Sequence, residues 1–330
     1  MPLKMVFVMD PLESINPERD TTLVLMLEAQ ARGHKVLYAP SGALSARGGK
    51  PFCEAAETRL TNPGEGAKNM DGFYETDEFK PFSLAGADVV WMRKDPPFDM
   101  DYIYLTHILE LAENGGAAVI NRPRAIRNSN EKLSALGFSR FMPDTVVSKN
   151  REQIGGFLDE KGKIVLKPLD GFGGEGIVMA EKTDADAREK IDRATQNGKA
   201  FIMAQEFISG VSGGDKRVIM LGGKPLGAVL RMPPEDGFIC NFHSGGTPAK
   251  TTLNKRDIEI CGALEGYLNE TGIYFAGIDI VDGMLTEINC TSPTCVREIN
   301  RLEDVRLESD IMDFAESLTQ EAGREKDYGR

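Results

Sequence analysis

The stretch that decides the fold is Gly277–Ser292, which reads G-I-D-I-V-D-G-M-L-T-E-I-N-C-T-S. Two short runs rich in β-branched and other apolar residues, Ile278–Val281 and Leu285–Ile288, flank the pair Asp282-Gly283. Asp-Gly between two such runs is a strong signal for a tight turn. The stretch therefore predicts a β-hairpin.

Three side chains with ligand oxygens interrupt these apolar strands, at Asp279, Glu287 and Asn289. Glu287 and Asn289 are two residues apart, so they share a face of their strand. Asp279 lies on that face if the loop between the strands has an odd length. A strict two-residue turn would instead place Asp279 on the opposite face from Glu287. We predict the odd-length loop, with Asp279 opposite Glu287. The converging oxygens would suit Mg²⁺; the alternative is an exposed hairpin with scattered polar residues.

The composition is that of a globular chain without a nucleic-acid or membrane partner. With 330 residues, 41% of them hydrophobic, there is room for two or three domains. A net charge of −12 argues against nucleic-acid binding, and neither a long apolar segment nor a signal peptide is recognisable. Five cysteines without C-x-x-C spacing suggest free thiols in a reducing cytoplasm.

The N-terminal region predicts the opening of an α/β domain. An apolar strand over Lys4–Met9, a helix over Thr21–Arg32 capped by Asp20, and a strand over Val36–Ala39 form a βαβ pattern. The polar, glycine-containing stretch from 40 to 81 predicts only loops and edge strands.

A charged cluster, Arg93–Asp99, follows the predicted strand Asp88–Met92 directly. Open α/β sheets bind ligands just beyond the carboxyl ends of their strands. A ligand-binding loop and a solvated turn both fit this pattern.

A glycine loop follows the predicted strand Ile164–Leu169, which carries Lys167. Residues 171–176 match G-x-G-x-x-G, but a dinucleotide fingerprint must open a helix. Here the loop runs into Ile177–Ala180, which is predicted as a strand. A strand–glycine loop–strand unit is typical of a flap whose N–H groups hold ATP phosphates, and Lys167 could reach one of them.

Three further elements follow. A second hairpin is predicted from Val218–Leu221 and Leu226–Leu230 around Gly222-Gly223. The Gly- and Pro-rich stretch Pro233–Lys250 predicts a mobile loop, which we interpret as a lid. An amphipathic helix is expected over Leu307–Ala322.

Five motifs in consistent order and spacing resemble bacterial glutathione synthetase, an ATP-grasp ligase. They are M-R-K-D-P-P-F-D (92–99), N-E-K-L (130–133), I-V-L-K-P-L-D-G-F-G-G (164–174), G-D-K-R (214–217) and L-T-E-I-N-C-T-S-P-T-C-V-R-E (285–298). The resemblance implies an ATP-grasp fold preceded by an N-terminal α/β (pre-ATP-grasp) domain. We expect domains at 1–122, 123–202 (the central lid domain) and 203–330.

The resemblance also implies roles for residues of this chain. ATP would be bound by two lysines, the glycine loop and a segment beyond the next strand: Lys132, Lys167, Gly171, Phe172, Gly173, Gly174, Gln205, Glu206, Phe207, Ile208 and Asp215. The metal, Mg²⁺ or Mn²⁺, would be held by Asp279, Glu287 and Asn289. Arg217 and Arg231 would be catalytic. The peptide and glycine would be placed by Arg93, Asp95, Asn241, Gly245, Gly246, Ser292, Pro293 and Thr294.

The implied reaction joins γ-glutamylcysteine to glycine through an acyl phosphate, with release of ADP and phosphate. ATP activates a carboxylate that is otherwise a poor electrophile, so no protein nucleophile is required. The family also suggests a cytoplasmic homo-oligomer, a dimer or tetramer.

Two departures from the family pattern lie in the 233–250 loop. Ile239 stands where an arginine is usual, and Thr247-Pro248 follows Gly245-Gly246 where Arg-Gly is usual. We expect these positions near the substrate end, which leaves open another carboxylate–amine ligase, for a glutamate or dipeptide substrate. A non-catalytic nucleotide-binding protein of the same fold is a further alternative, although all three metal ligands are present.

Overall fold

The structure is a computed structural model that describes residues 1–62, 72–235 and 237–328, with side chains up to residue 320. Its strands form three sheets that follow one another along the chain. None of the helices in these described ranges is long and apolar enough to cross a membrane.

The N-terminal sheet has a parallel centre in the order β2-β1-β7-β8 and an antiparallel extension through β4. Its strands are β1 (Lys4–Met9), β2 (Lys35–Pro40), β3 (Leu44–Arg47), β4 (Lys50–Leu60), β5 (Tyr74–Thr76), β6 (Lys80–Ser83), β7 (Val89–Arg93) and β8 (Ala118–Ile120). Helices α1 (Thr21–Ala31), α2 (Met100–Asn114) and α3 (Pro123–Asn128) cover it. The predicted βαβ opening is confirmed, and the Asp20 side chain accepts a hydrogen bond from the Leu23 N–H as the cap of α1.

The expectation of only loops and edge strands between 40 and 81 was wrong. The 11-residue β4 pairs with β2, β3, β5 and β6, so it organises this extension. Its burial alternates irregularly, because different parts of the strand contact different partners; a period-two pattern was therefore missing from the sequence. The part of the stretch from 63 to 71 lies outside the described residues.

The central sheet is antiparallel, in the order β11-β10-β12-β9. Its strands are β9 (Thr145–Ser148), β10 (Lys163–Pro168), β11 (Val178–Glu181) and β12 (Ile202–Glu206), with α4 (Arg151–Lys161) and α5 (Ala187–Ala194) packed on one face. The glycine loop lies between β10 and β11, so the predicted strand–loop–strand unit is confirmed. The domain boundary expected between 202 and 203 falls inside β12, which pairs with β10 and β9; sheet membership extends the central unit through Glu206.

The C-terminal sheet has the order β15-β14-β13-β16-β17. It contains β13 (Asp215–Leu221), β14 (Lys224–Met232), β15 (Thr247–Ala249), β16 (Phe275–Val281) and β17 (Met284–Asn289), and is accompanied by α6 (Lys255–Thr271), α7 (Val296–Glu303) and α8 (Leu307–Tyr328). One face packs on α6. The other shares a core with α1 and α8, because Ile219 and Val229 lie in the same apolar cluster as Leu23 and Ile311. The N-terminal and C-terminal sheets are thus joined by one hydrophobic core.

The β16–β17 hairpin reaches the predicted pairing by a different route. Val281 pairs with Met284, so the turn at Asp282-Gly283 is a tight two-residue turn and the predicted odd-length loop was wrong. A bulge then shifts the register between Ile280 and Asp279, and Asp279 lies opposite Glu287 as predicted. An extra residue in one strand changes which side chains face each other, so the bulge does what an odd loop would have done.

Candidate active site

A cleft between the central and C-terminal sheets contains all the residues predicted to bind ATP and metal. Its lining comprises Lys132, Lys167, Gly171, Phe172, Gly173, Gly174, Gln205, Glu206, Phe207, Ile208 and Asp215 on one hand, and Asp279, Glu287 and Asn289 on the other. We call it the nucleotide cleft.

Two lysines lie at the inner end of this cleft, and each contacts a different partner. The Lys132 ammonium lies 3.1 Å from Oε1 of Glu287 and donates to the Gly171 carbonyl at 2.8 Å. Burial works against its charge, but the nearby Glu287 and Glu131 carboxylates raise the pKa of Lys132 overall. Lys167 donates to Oε1 of Gln205 at 2.7 Å, and burial lowers its pKa. Gln205 therefore holds Lys167 in place besides lining the cleft.

The predicted metal ligands share one face of the hairpin. Asp279 lies opposite Glu287, and Nδ2 of Asn289 lies 3.3 Å from Oδ2 of Asp279. Among the described residues, no three His, Cys, Asp or Glu side chains come together as a metal site. The predicted set differs from such a cluster in having two carboxylates and one amide oxygen, a hard-oxygen set that fits Mg²⁺.

Two buried arginines cover Asp279. Arg217 lies opposite Asp279 in the pairing of β13 with β16. Its side chain donates two hydrogen bonds to the Asp279 carboxylate, from Nε to Oδ1 at 2.5 Å and from Nη2 to Oδ2 at 3.0 Å. Nη2 of Arg231 lies 2.9 Å from the same Oδ2 and also contacts Asp215. Despite burial, these arginines hold the pKa of Asp279 well below its usual range. Asp215, expected to bind ATP, is engaged with Arg231 because the two pair across β13 and β14; burial raises its pKa to about 6.

A second cavity lies between the N-terminal and C-terminal sheets, and we call it the substrate cavity. Of the predicted catalytic and substrate-binding residues, its walls contain Arg93, Asp95, Arg217, Arg231, Asn241, Ser292, Pro293 and Thr294. Arg93 is 4% exposed. It donates from Nε to the Thr22 hydroxyl at 3.0 Å and from Nη2 to the Pro293 carbonyl at 2.9 Å. Its Nη1 has no hydrogen-bond partner among the described residues.

Several lining residues of the substrate cavity were missed by sequence reasoning, including Asp10, Asp20 and Glu298. Asp10 follows β1, and its Oδ2 accepts a hydrogen bond from the Asp95 N–H at 2.8 Å. The rule that ligands lie beyond the ends of parallel strands applies to β1 as well as to β7, so it could have identified Asp10. Asp20 was interpreted as a helix cap only, and Glu298, the last residue of the motif 285–298, was given no role of its own.

The 233–250 loop lies over the glycine loop. The Ser244 hydroxyl donates to the Gly173 carbonyl at 3.0 Å, and the His243 and Phe172 rings meet edge to face, with 6.3 Å between their centroids. A Cβ on Gly174 would lie 2.5 Å from Cγ2 of Ile239, so Ile239 fills the space that a side chain there would need. One residue of the loop, Asp236, lies outside the described part of the chain.

Two expectations about this loop change. Ile239 lines the nucleotide cleft and not the substrate cavity, because the loop folds back over the glycine loop before it reaches the N-terminal domain. Gly245 and Gly246, predicted to bind substrate, are absent from the described lining of both pockets. They close a turn in which the Gly246 N–H donates to the Asn241 carbonyl at 3.1 Å. Pro248 pairs with Arg231 in the sheet.

These features define a class. A glycine flap between two antiparallel strands faces a carboxylate-bearing hairpin of a second sheet across a lysine-lined cleft, which is the ATP-grasp arrangement of a carboxylate–amine ligase. Solved structures agree on the fold. A D-cycloserine synthetase has a TM-score of 0.64 at 15% identity, over 96% of this chain and 99% of that one. The ATP-grasp ligase PsnB, solved with a minimal precursor, has a TM-score of 0.63 at 17% identity, over 97% and 100%.

Sequence comparison identifies the family. Residues 3–127 match the N-terminal domain of prokaryotic glutathione synthetase, and residues 131–304 match its ATP-grasp domain. A glutathione synthetase from a Synechocystis species is 41% identical over 95% of this chain and 99% of its own length. One from Vibrio parahaemolyticus is 39% identical over 95% and 98%. The chain belongs to the prokaryotic glutathione synthetase family, and the predicted fold class is confirmed.

Proposed function

We propose that the chain is an ATP-dependent ligase that joins γ-glutamylcysteine to glycine and releases ADP and phosphate. The observation that carries this proposal is that the two pockets share walls: Phe172, Gly173, Asn241 and Asn289 line both. A phosphate at the inner end of the nucleotide cleft would therefore meet a carboxylate held in the substrate cavity. Phosphoryl transfer to a carboxylate requires this meeting of two separately bound substrates.

The arginines and lysines supply charge stabilisation. Lys132, Lys167 and the N–H groups of the glycine loop would hold the phosphates of ATP. Arg217 and Arg231 lie at the boundary of the two pockets, so they would stabilise the charge that develops as the substrate carboxylate attacks the terminal phosphate. The glycine amine would then attack the acyl phosphate carbonyl, and phosphate would leave. Burial raises the pKa of the Cys290 and Cys295 thiols, which disfavours the thiolate form that a cysteine nucleophile needs.

Asp279, Glu287 and Asn289 would hold Mg²⁺ or Mn²⁺. When bound, the metal would neutralise charge on the transferring phosphoryl group. In the described structure two of these three residues already contact basic side chains, Asp279 those of Arg217 and Arg231, and Glu287 that of Lys132. Nucleotide and metal binding would therefore exchange these ion pairs for contacts to phosphate and metal.

The substrate cavity carries both signs of charge, as a zwitterionic peptide substrate requires. Arg93 and Lys94 lie on its walls together with Asp20, Asp95 and Glu298. Burial raises the pKa values of the Asp95 and Glu298 carboxyls, so a cationic ligand group would gain by pairing with them. We further propose a cytoplasmic homo-oligomer, on the family pattern; all five cysteines are free and buried.

ADP release across a small panel of carboxylate donors and amine acceptors tests the proposal. We expect release above background only with γ-glutamylcysteine and glycine together. ADP formed faster with another dipeptide or amino acid would instead identify a different ligase of the same class. If no member of the panel supports ADP formation, the proposed substrates are contradicted.

A further inference from the structure

Cys290, the residue that follows Asn289, has all of its polar groups bound by one segment, residues 121–131. Its N–H donates to Oε1 of Glu131 at 2.8 Å, and its carbonyl accepts from Nδ2 of Asn121 at 2.8 Å. Its thiol lies 3.3 Å from the Ser129 carbonyl oxygen. The segment connecting the N-terminal and central sheets thus fixes the exit of β17.

Within this segment, Glu131 makes the largest number of hydrogen bonds to residues 288–291. The same Oε1 also accepts from the Thr291 N–H at 2.9 Å and from the Thr291 hydroxyl at 2.8 Å. Its backbone carbonyl accepts from the Ile288 N–H at 2.9 Å. Glu131 therefore holds the chain on both sides of Asn289.

These contacts matter because β17 is an edge strand of its sheet. Its inner edge pairs with β16, but the backbone groups on its outer edge need other partners. Glu131 supplies an acceptor for the N–H of Ile288 and for those of the two residues that follow the strand.

The next residue connects the same segment to the phosphate side. Lys132 lies 3.1 Å from Oε1 of Glu287 and donates to the Gly171 carbonyl at 2.8 Å. Two adjacent residues thus contact the strand that carries Glu287 and Asn289 in complementary ways. Glu131 binds its backbone, and Lys132 binds a carboxylate that it bears.

We infer that Glu131 is a positioning residue for the metal–nucleotide site. It acts through the backbone of residues 288–291 to orient Glu287 and Asn289, and this role rests on the proposed function of those two residues. All partners of its side chain in the described structure are donors to one oxygen. These three hydrogen bonds therefore require an acceptor oxygen from Glu131, which an amide also provides.

Comparison of Glu131→Ala with Glu131→Gln tests this inference. The readouts are the dissociation constant of Mn²⁺ with a non-hydrolysable ATP analogue, measured by electron paramagnetic resonance, and kcat with saturating substrates. Residues that orient metal ligands typically contribute about 10–100-fold in metal affinity or activity. We expect Glu131→Ala to weaken Mn²⁺ binding about 10-fold or more and lower kcat, and Glu131→Gln to stay within about 3-fold of the parent.

Gln30→Ala is the matched control. The Gln30 side chain bridges the N–H and the carbonyl of Leu60 at 2.7 and 2.8 Å, so its removal costs comparable hydrogen bonds away from both pockets. We expect it to lower thermal stability without changing Mn²⁺ affinity.

Two results would overturn the inference. If Glu131→Gln is impaired as much as Glu131→Ala, the charge is needed and Glu131 acts as a ligand or base. If Glu131→Ala binds Mn²⁺ as the parent does, Glu131 has no positioning role. Should Glu131→Ala fail to fold, Thr291→Val removes one of the bonds, and unchanged Mn²⁺ affinity in that variant would contradict the inference. Mn²⁺ binding needs no turnover, so these results stay separate from a failure of the parent to ligate γ-glutamylcysteine.

Discussion

The nucleotide cleft and the substrate cavity meet, but their buried charges are arranged differently. In the cleft the carboxylates of Asp215, Asp279 and Glu287 each contact a basic side chain, and Lys167 donates to the neutral amide oxygen of Gln205. In the cavity, Arg93 donates only to neutral oxygens within the described structure, and its Nη1 has no partner there. Oε2 of Glu298 is likewise buried without a described partner.

This difference separates two kinds of ligand binding. A buried charge without a partner costs free energy. Substrate binding in the cavity is therefore favoured when the substrate supplies the missing contacts. In the cleft, the protein supplies the partners itself, and under the proposed function ATP and a metal ion would replace them. We therefore expect changes in the cleft to act on turnover and on the KM of ATP, and changes in the cavity to act mainly on the KM of the peptide.

The largest effect is expected in the cleft, from Glu287→Gln. The substitution keeps size and removes the charge, so the fold should be retained and kcat should fall by about 10²-fold or more, as for other losses of electrostatic stabilisation. Steady-state kinetics with a thermal unfolding control measure this, and Glu270→Gln on the exposed side of α6 is the matched control. Near-parental turnover at low Mg²⁺ would remove Glu287 from the metal site.

In the cavity, Arg93→Lys should act on the peptide substrate. The guanidinium of Arg93 donates from Nε and Nη2 to Thr22 and Pro293 and has Nη1 available for a ligand. Lysine keeps the charge but cannot make these contacts at the same time. We expect the KM of γ-glutamylcysteine to rise about 10-fold, since charged hydrogen bonds contribute about 1.5–3 kcal/mol, with the KM of ATP changed little. An equal rise in both KM values would break the proposed division between the pockets.

Ile239→Arg sharpens the boundary between them. Because Ile239 packs against Gly174, a longer charged side chain should displace the glycine loop and raise the KM of ATP about 3-fold or more, with a smaller change for the peptide. Ile239→Val is the conservative control. A change confined to the peptide KM would place residue 239 at the substrate end after all.

The smallest effect is on stability, from Asp20→Asn. Burial raises the pKa of Asp20 from 3.8 to about 6, so the folded state holds this proton more tightly than the unfolded chain. The parent should lose stability as the pH rises from about 4 to 6, by on the order of 1–3 kcal/mol. Asparagine also caps helices but does not titrate. The Tm advantage of Asp20→Asn should therefore grow between pH 4 and pH 7, and a constant difference would contradict the shift.

The sequence predicted the residues of the nucleotide cleft more completely than those of the substrate cavity, and the reason is physical. The nucleotide cleft is formed by continuous segments, such as Lys167 with the glycine loop and the Asp279–Asn289 hairpin, whose spacing carries the signal. The substrate cavity brings together the ends of β1 and β7, the start of α1 and the start of α7. Those contacts depend on tertiary packing, so the neighbours of Glu298 along the chain did not show that it lines this cavity.

The hairpin shows a second limit. The Asp-Gly signal specified the turn, and the ligand pattern specified which residues must face each other, but the two requirements conflict in a regular hairpin. A bulge resolves the conflict. The β13–β14 hairpin has the same combination, with the Gly222-Gly223 turn and a register shift after Ile219. The extra residue in the β16–β17 hairpin is Thr286 and not a glycine, the residue type that most often marks a bulge in a strand, so that bulge had no signal in the sequence.

The central claim is that a phosphoryl group passes from the nucleotide cleft to a carboxylate in the substrate cavity. The most direct measurement uses γ-glutamylcysteine labelled with ¹⁸O in the cysteinyl carboxylate, with ATP, Mg²⁺ and glycine, and follows the label by mass spectrometry. We predict ADP as the nucleotide product and one ¹⁸O atom in the released phosphate. AMP and pyrophosphate as products, or inorganic phosphate free of label, would contradict the claim.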